Sequence, residues 1–145
     1  MADKLIRIGK VSKIDYTNGM IAVTYPDLDD AVTVPLSTVS FNDEYKMPDI
    51  GDEVLALHLP SGQARGLVLG HFWNKGNPPA VSGAGVYRKE YGLEQGEAFA
   101  QYDGELLFFA PSIRLSTSSG EITVDEIISR IGSLERRVAS LESRI

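Results

Sequence analysis

Apolar and polar positions follow three successive rhythms along the chain. Up to about Trp73 the period is two, the mark of half-buried strands. LIRIGKVSKI and MIAVTY flank Asn18-Gly19, a pair suited to a two-residue hairpin turn because both central positions need φ > 0. In VTVPLSTVSF, Val32, Val34, Leu36, Val39 and Phe41 are candidates for a core face. Pro35 cannot donate to a ladder, so it marks an edge or bulge. Met47-Pro48-Asp49-Ile50-Gly51-Asp52 breaks the pattern. EVLALHL then sets Val54, Ala56 and His58 on one face and Leu55, Leu57 and Leu59 on the other. Ser61-Gly62 turns the chain into RGLVLGHFW. About five strands joined by turns rather than helices predict a small barrel over residues 1–74, an economical way to remove exposed strand edges.

Asn74-Lys75-Gly76-Asn77-Pro78-Pro79 stops the strands, and its prolines predict a stiff linker over residues 75–80. Residues 81–122 carry short extended runs, most clearly EAFAQY, ELLFFA, SIRLST and GEITV. Each is too short and too isolated to bury its apolar face alone. Leu106, Leu107, Phe108 and Phe109 are consecutive, so both faces of their strand are expected to be covered. A segment of about 40 residues does not readily build an independent core without a partner or staple. The expected partner is another copy of the same chain.

The third rhythm is the strongest. Thr123-Val124-Asp125-Glu126 fits a capping box at a helix start. From there Val124, Ile127, Ile131, Leu134, Val138, Leu141 and Ile145 fall at spacings of 3, 4, 3, 4, 3 and 4. That is a heptad seam with Val or Ile at a and mostly Leu at d, predicting a coiled-coil helix over residues 123–145. Arg130-Ile131-Gly132-Ser133-Leu134-Glu135 and Arg137-Val138-Ala139-Ser140-Leu141-Glu142 repeat one pattern seven residues apart. Arg130 and Arg137 take g positions, Glu135 and Glu142 take e positions, and such residues pair between neighbouring helices. Both hexapeptides resemble the Arg-h-x-x-h-Glu trimerisation motif of short parallel coiled coils. The a and d composition by itself leans toward a dimer, and the doubled motif shifts the expectation to a trimer.

Composition removes several function classes. The 145 residues contain no cysteine, which excludes a disulfide framework and a thiolate metal site. No run approaches the roughly 18 apolar residues of a membrane-spanning helix, and MADKLIRIGK has no apolar stretch of signal-peptide length. The formal charge of −6 argues against a general nucleic-acid binder, whose affinity comes largely from Lys and Arg on phosphates.

Candidate chemistry is sparse. His58 and His71 stand thirteen residues apart on predicted strands, with no second ligand at a helical spacing. Asp27-Leu28-Asp29-Asp30 lacks the spaced ligands, Gly and terminal Glu of a calcium loop. Ser61-Gly62 and Ser82-Gly83 have no nucleophile-elbow context, and Gly83-Ala84-Gly85 is not followed by the helix a phosphate site requires. Glu94, Glu97 and Asp103 could serve as acid and base, yet nothing in the sequence builds a pocket around them. No catalytic residue, cofactor or metal is expected. The competing binding function is single-stranded nucleic acid, because small five-stranded barrels often stack bases over a basic groove. Lys4, Arg7, Lys10 and Lys13 cluster near Tyr16 and Tyr25, but residues 1–80 carry ten acidic against seven basic side chains. A solvated strand face accounts for the lysines, and no nucleic-acid partner is expected.

RIGKVSKIDYTNGMIAVTYPD resembles the opening of the phage baseplate assembly protein V family, and MPDIGDEVLALHLPSGQARGLVLGHFWNKGNPP resembles that family's most recognisable stretch. Pro48, Gly51, Asp52, Glu53 and Val54 match its turn into the fourth strand. Gly66, Val68, Leu69 and Gly70 match the returning strand, and Asn77, Pro78 and Pro79 its exit. The resemblance covers about residues 5–80. It implies an OB-fold barrel in a homotrimeric central spike, which caps the tail tube of a contractile tail, sits in the baseplate hub and helps breach the target envelope. Related spikes occur in tail-like bacteriocins and type VI secretion systems. Three departures stand out: no inserted lysozyme domain and no room for one, no His-x-His near the end, and a coiled coil in place of a long tapering β-helix. The hub role is therefore better supported than the piercing role.

The expected fold is mainly β: a five-stranded OB-fold barrel, a short intertwined trimeric β-helix or β-prism segment, and a parallel trimeric coiled coil. The expected trimer interface comprises the seven seam residues, the flanking Arg130, Glu135, Arg137 and Glu142, and Leu106, Phe108, Ile113, Leu115 and Ile122 of the middle segment. The resemblance implies the hub protein, the tail tube and the target envelope as further partners. It places the protein at a virion tail tip or baseplate, or in an extracellular tail-like particle, after synthesis in the host cytoplasm.

Overall fold

β1 (Ile6–Asp15) and β2 (Met20–Tyr25) form the first hairpin, with Asp15 opposite Met20. The connection is four residues, 16–19, rather than the two expected from Asn18-Gly19. The extra residues are held by Asp15, whose carboxylate accepts from the backbone N–H of Thr17 and Asn18 and from the Asn18 amide. The Asn18 amide, followed by its backbone N–H, holds the Asp15 carboxyl below the usual carboxylate range. Only Gly19 of the pair takes positive φ.

The chain in the computed structural model is described over residues 5–60 and 65–145, so the Ser61-Gly62 turn and Lys4 lie outside the described residues. A 3-10 turn, Pro26–Leu28, leads into β3 (Ala31–Val32), and β4 (Leu36–Thr38) follows Pro35. Gly51, at φ 93, supplies a backbone conformation in the next turn that other residues rarely adopt. Its N–H donates to the Val11 carbonyl at 2.8 Å, tying the turn to β1. β5 (Glu53–His58) and β6 (Gly66–His71) complete the wall.

The strands run β1-β5-β6-β4-β2, and β2 pairs back to β1, which closes a five-stranded barrel. All its pairings are antiparallel except β4 with β6. β1 reaches both neighbours by sharing its length: Ile6 to Lys10 ladder to β5, and Lys10 to Asp15 to β2, with a bulge between Val11 and Lys13. This order, with its single parallel contact, is consistent with an OB fold.

The core comprises Val11, Ile21, Val23, Tyr25, Leu36, Val54, Ala56 and Val68. Burial of each large aliphatic side chain contributes about 1.5–3 kcal/mol. Val54 and Ala56 face inward, as the period-two reading expects. The expectation for VTVPLSTVSF needs correcting: Leu36 alone of its candidates joins the core, while Val32, Val34 and Phe41 are exposed and Val39 is half-buried. Closure is made by β4, which pairs with β2 and β6 and turns Leu36 inward, while β3 pairs with β2 alone. β3 is left as a two-residue ribbon on the outer edge of β2.

The chain divides into two compact units, the second being Ala80–Ile145. There β7 (Tyr87–Glu90), β8 (Phe99–Tyr102) and β9 (Leu106–Phe109) form an antiparallel meander. β10 (Arg114–Thr117) and β11 (Gly120–Thr123) form a separate hairpin. The short runs are thus less isolated than expected, because they pair within the chain. β7 went unread because Tyr-Arg-Lys-Glu has no apolar alternation.

α1 (Val124–Glu142) starts on the expected capping box. The Glu126 N–H donates to Thr123 Oγ1 at 3.2 Å, and the Thr123 N–H returns a 2.8 Å bond to the Glu126 carboxylate. That backbone bond, followed by the one from the Thr123 hydroxyl, holds the Glu126 carboxyl below its ordinary range. The helix has 19 residues and is about 28 Å long at about 1.5 Å per residue. It stops at Glu142, so Ile145, placed in the seam by spacing, falls beyond its end.

Candidate functional site

Ala80–Ile145 has almost no interior of its own. Among its described residues Ala100, at 7% exposure, is the only one buried. The seam residues Ile131, Leu134, Val138 and Leu141 lie exposed along α1, Ile131 at 50% and Leu134 at 55%. Val124 and Ile127, at the helix start, are half-buried. Arg130, Glu135, Arg137 and Glu142 are exposed beside the seam, the flank positions from which charges meet a neighbouring helix. Ile128, which the heptad reading did not single out, is also exposed and widens the apolar stripe at this end.

The strand residues sort by face. On the meander, Tyr87, Tyr102 and Leu106 lie in one cross-strand row, and Lys89, Ala100 and Phe108 in another on the same face. Leu106 and Phe108, both expected at the interface, therefore share an open surface, 61% and 57% exposed. The opposite face carries Arg88, whose guanidinium lies 3.6 Å over the Phe99 ring, pairs with Glu90 and donates to Gln101 at 2.7 Å. Phe99 in turn stacks on Phe109. Arg88 thus covers part of this face, while Leu107 and Phe109 on it remain exposed. On the hairpin, Leu115 stands opposite Ile122 on one face, while Arg114 and Glu121 are ion-paired. The Ile113 carbonyl accepts from the Val124 N–H at 2.9 Å, joining the hairpin base to the helix start. An open groove of about 770 Å³ runs past Phe99, Phe108, Ile113 and Leu115. The expectation that both faces of β9 are covered is not met within one chain: all four of its residues are exposed, because β9 is the edge of a single-layer sheet.

The barrel has an apolar outer face as well. Ile6 and Ile8 of β1 stand opposite Leu57 and Leu55 of β5, and Leu57 stands opposite Leu67 of β6. These side chains alternate with the inward Val54, Ala56 and Val68.

The residues weighed for chemistry are engaged locally. His58 shares a 2.6 Å hydrogen bond with the Tyr25 hydroxyl. His71 stands beside Trp73 at the opposite end of the β5–β6 ladder. Glu97 accepts from the backbone N–H of Leu93 and Glu94, and Asp103 accepts from Gln101. Among the described residues no group of three or more His, Asp or Glu is placed to hold a metal ion. No described helix is long and apolar enough to cross a membrane. No protein-family model matches the chain, and no curated protein matches it significantly.

Burial pushes the Tyr25 hydroxyl above its ordinary range, with nearby Arg7 pulling it down and Asp27 pushing it up. A group whose pKa is raised on folding adds stability below its unfolded value, and that stability is lost as pH rises through the folded value. Tyr25→Phe is expected to lower barrel stability by about 1 kcal/mol at neutral pH through loss of the His58 bond. The wild type is then expected to lose stability more steeply than the variant above about pH 10. Thermal melts of both proteins across that range check the prediction, and parallel pH profiles would contradict it.

Proposed function

We propose that this chain is a structural subunit that acts as a homotrimer, a central spike or hub component of a contractile tail in a phage or tail-like injection particle. The observation that carries the reading is the imbalance in Ala80–Ile145, where one residue is buried and many aliphatic and aromatic side chains are exposed. An apolar surface of this kind marks an interface. Its seam is flanked by Arg at g and Glu at e, which complement one another between identical parallel helices.

In this reading the barrel is an OB fold, three of which form a collar on the hub and tube. Its strand order and the resemblance of residues 5–80 support that assignment. The strands of residues 81–122 form a short trimeric β-helix or β-prism, with Leu106, Phe108, Ile113, Leu115 and Ile122 covered between chains. Ile131, Leu134, Val138 and Leu141 close a parallel coiled coil. The work is mechanical: burial between chains resists axial load, and no catalytic group takes part. Single-stranded nucleic-acid binding fits less well. Tyr25, one of its two proposed stacking rings, is 4% exposed and bonded to His58, and Arg7 is paired with Asp27.

Sedimentation equilibrium at micromolar concentration is expected to return three times the 15.8 kDa chain mass. A monomer would overturn the reading. Antibody against the barrel is expected to label the baseplate end of contractile-tail particles from the producing cell. Label confined to other parts of the particle would remove the hub role.

A further inference from the structure

β9 is an edge of unusual chemistry. Leu106–Phe109 carries neither charge nor proline, the devices that commonly protect an edge from pairing. β8 occupies one side of it, and the sheet ends there. The other end of the same sheet is β7, also four residues long. Both strands are antiparallel to β8, so they run in the same direction. Of the three charged residues of β7, Arg88 is paired with Glu90 and laid over Phe99, and the Lys89 ammonium lies 5.7 Å from the centre of the Tyr91 ring.

A threefold axis makes head-to-tail contacts, which bring unlike edges together. We propose that β9 of one copy ladders, in parallel, with β7 of the next, so that three sheets close into a ring without a free edge. The inference rests on the homotrimer proposed above and specifies which strands join its chains. On one face Leu106 and Phe108 then adjoin Tyr87 and Lys89 of the next copy, giving the aromatic and aliphatic cross-strand neighbours that stabilise sheets.

The absence of cysteine makes the test direct. Within one sheet β7 and β9 are separated by β8, so they lie about 9.6 Å apart at the usual strand spacing. Cα atoms more than about 7 Å apart cannot be bridged, and a β7–β9 disulfide must therefore join two chains. Tyr87→Cys or Lys89→Cys is combined with Leu106→Cys or Phe108→Cys in the full chain, oxidised, and run on non-reducing SDS gels beside sedimentation equilibrium. At least one double variant is expected to run mainly as a covalent trimer, with every single variant running as monomer. A trimer in sedimentation with no interchain disulfide in any double variant overturns the edge pairing and leaves the homotrimer standing. A monomeric wild type overturns both. Where the cysteines prevent folding, hydrogen exchange on the unaltered chain decides. All β9 amides are expected to exchange within about tenfold of one another, and alternate amides exchanging at least about 100-fold faster than their neighbours overturn the pairing.

Discussion

Replacing Ile131 and Leu134 together with Asp is expected to leave the protein monomeric at micromolar concentration. The two positions are successive a and d sites in the middle of α1, both exposed in the single chain. In a trimer they would bury six side chains, roughly 9–18 kcal/mol at about 1.5–3 kcal/mol each, before the costs of association. The double variant removes that term and sets six carboxylates about the axis, where charge burial and mutual repulsion both oppose assembly. The consequence reaches beyond the coil. A helix draws most of its stability from the packing of its apolar face, which α1 loses in the monomer, so helical signal in circular dichroism is expected to fall. Amide protection across residues 81–122 is expected to fall with it, while the barrel's thermal transition stays near its wild-type position. Persistence of the trimer, or a monomer with residues 81–122 still protected, would contradict the assembly reading.

How much of this could be read from residues alone varied with the range of the interaction that decides each element. The heptad seam and the capping box are local patterns, and the structure reproduces the helix start bond for bond at Thr123 and Glu126. The inward set on β5 was legible because Val54 and Ala56 obey a period of two. Ile145 shows the limit of periodicity: spacing continues the seam, but the helix ends at Glu142. Val32 and Val34 alternate properly and still face solvent, because closure is made by β4 with β6 and leaves β3 outside. β7 was invisible to pattern, since its four residues Tyr-Arg-Lys-Glu become a strand only by pairing with β8. The hydrogen-bond role of Glu97 depends on the loop that folds around it, and no spacing rule announces it. For the candidate site, the seam and Leu106, Phe108, Ile113, Leu115 and Ile122 were named from sequence. Their common faces became clear only from the ladder registers.

Gly9→Val is expected to have the reciprocal effect, destabilising the barrel while sparing the assembly. Gly9 faces inward on β1, where the strand leaves β5 and turns onto β2. A Cβ there would stand 2.5 Å from Val23 Cγ1, 2.7 Å from the Thr24 carbonyl oxygen and 2.7 Å from Tyr25 Cδ1. Two of those neighbours are core side chains and the third is backbone, so nothing nearby is a free side-chain end that can swing away. Valine adds two further methyl groups to a space without room for one. Overpacking typically costs about 1–3 kcal/mol, and the backbone contact puts this substitution at the upper end, about 3 kcal/mol. For a barrel of this size that corresponds to a fall in melting temperature of roughly 12–24 °C. Trp73, the single tryptophan, lies two residues beyond the end of β6 and reports the transition by fluorescence. Sedimentation of the variant is expected to remain trimeric, because the seam and the meander lie in the other unit. A melting temperature within about 3 °C of wild type would show that β1 can move away from β2 at this point, contrary to the close approach that closes the barrel.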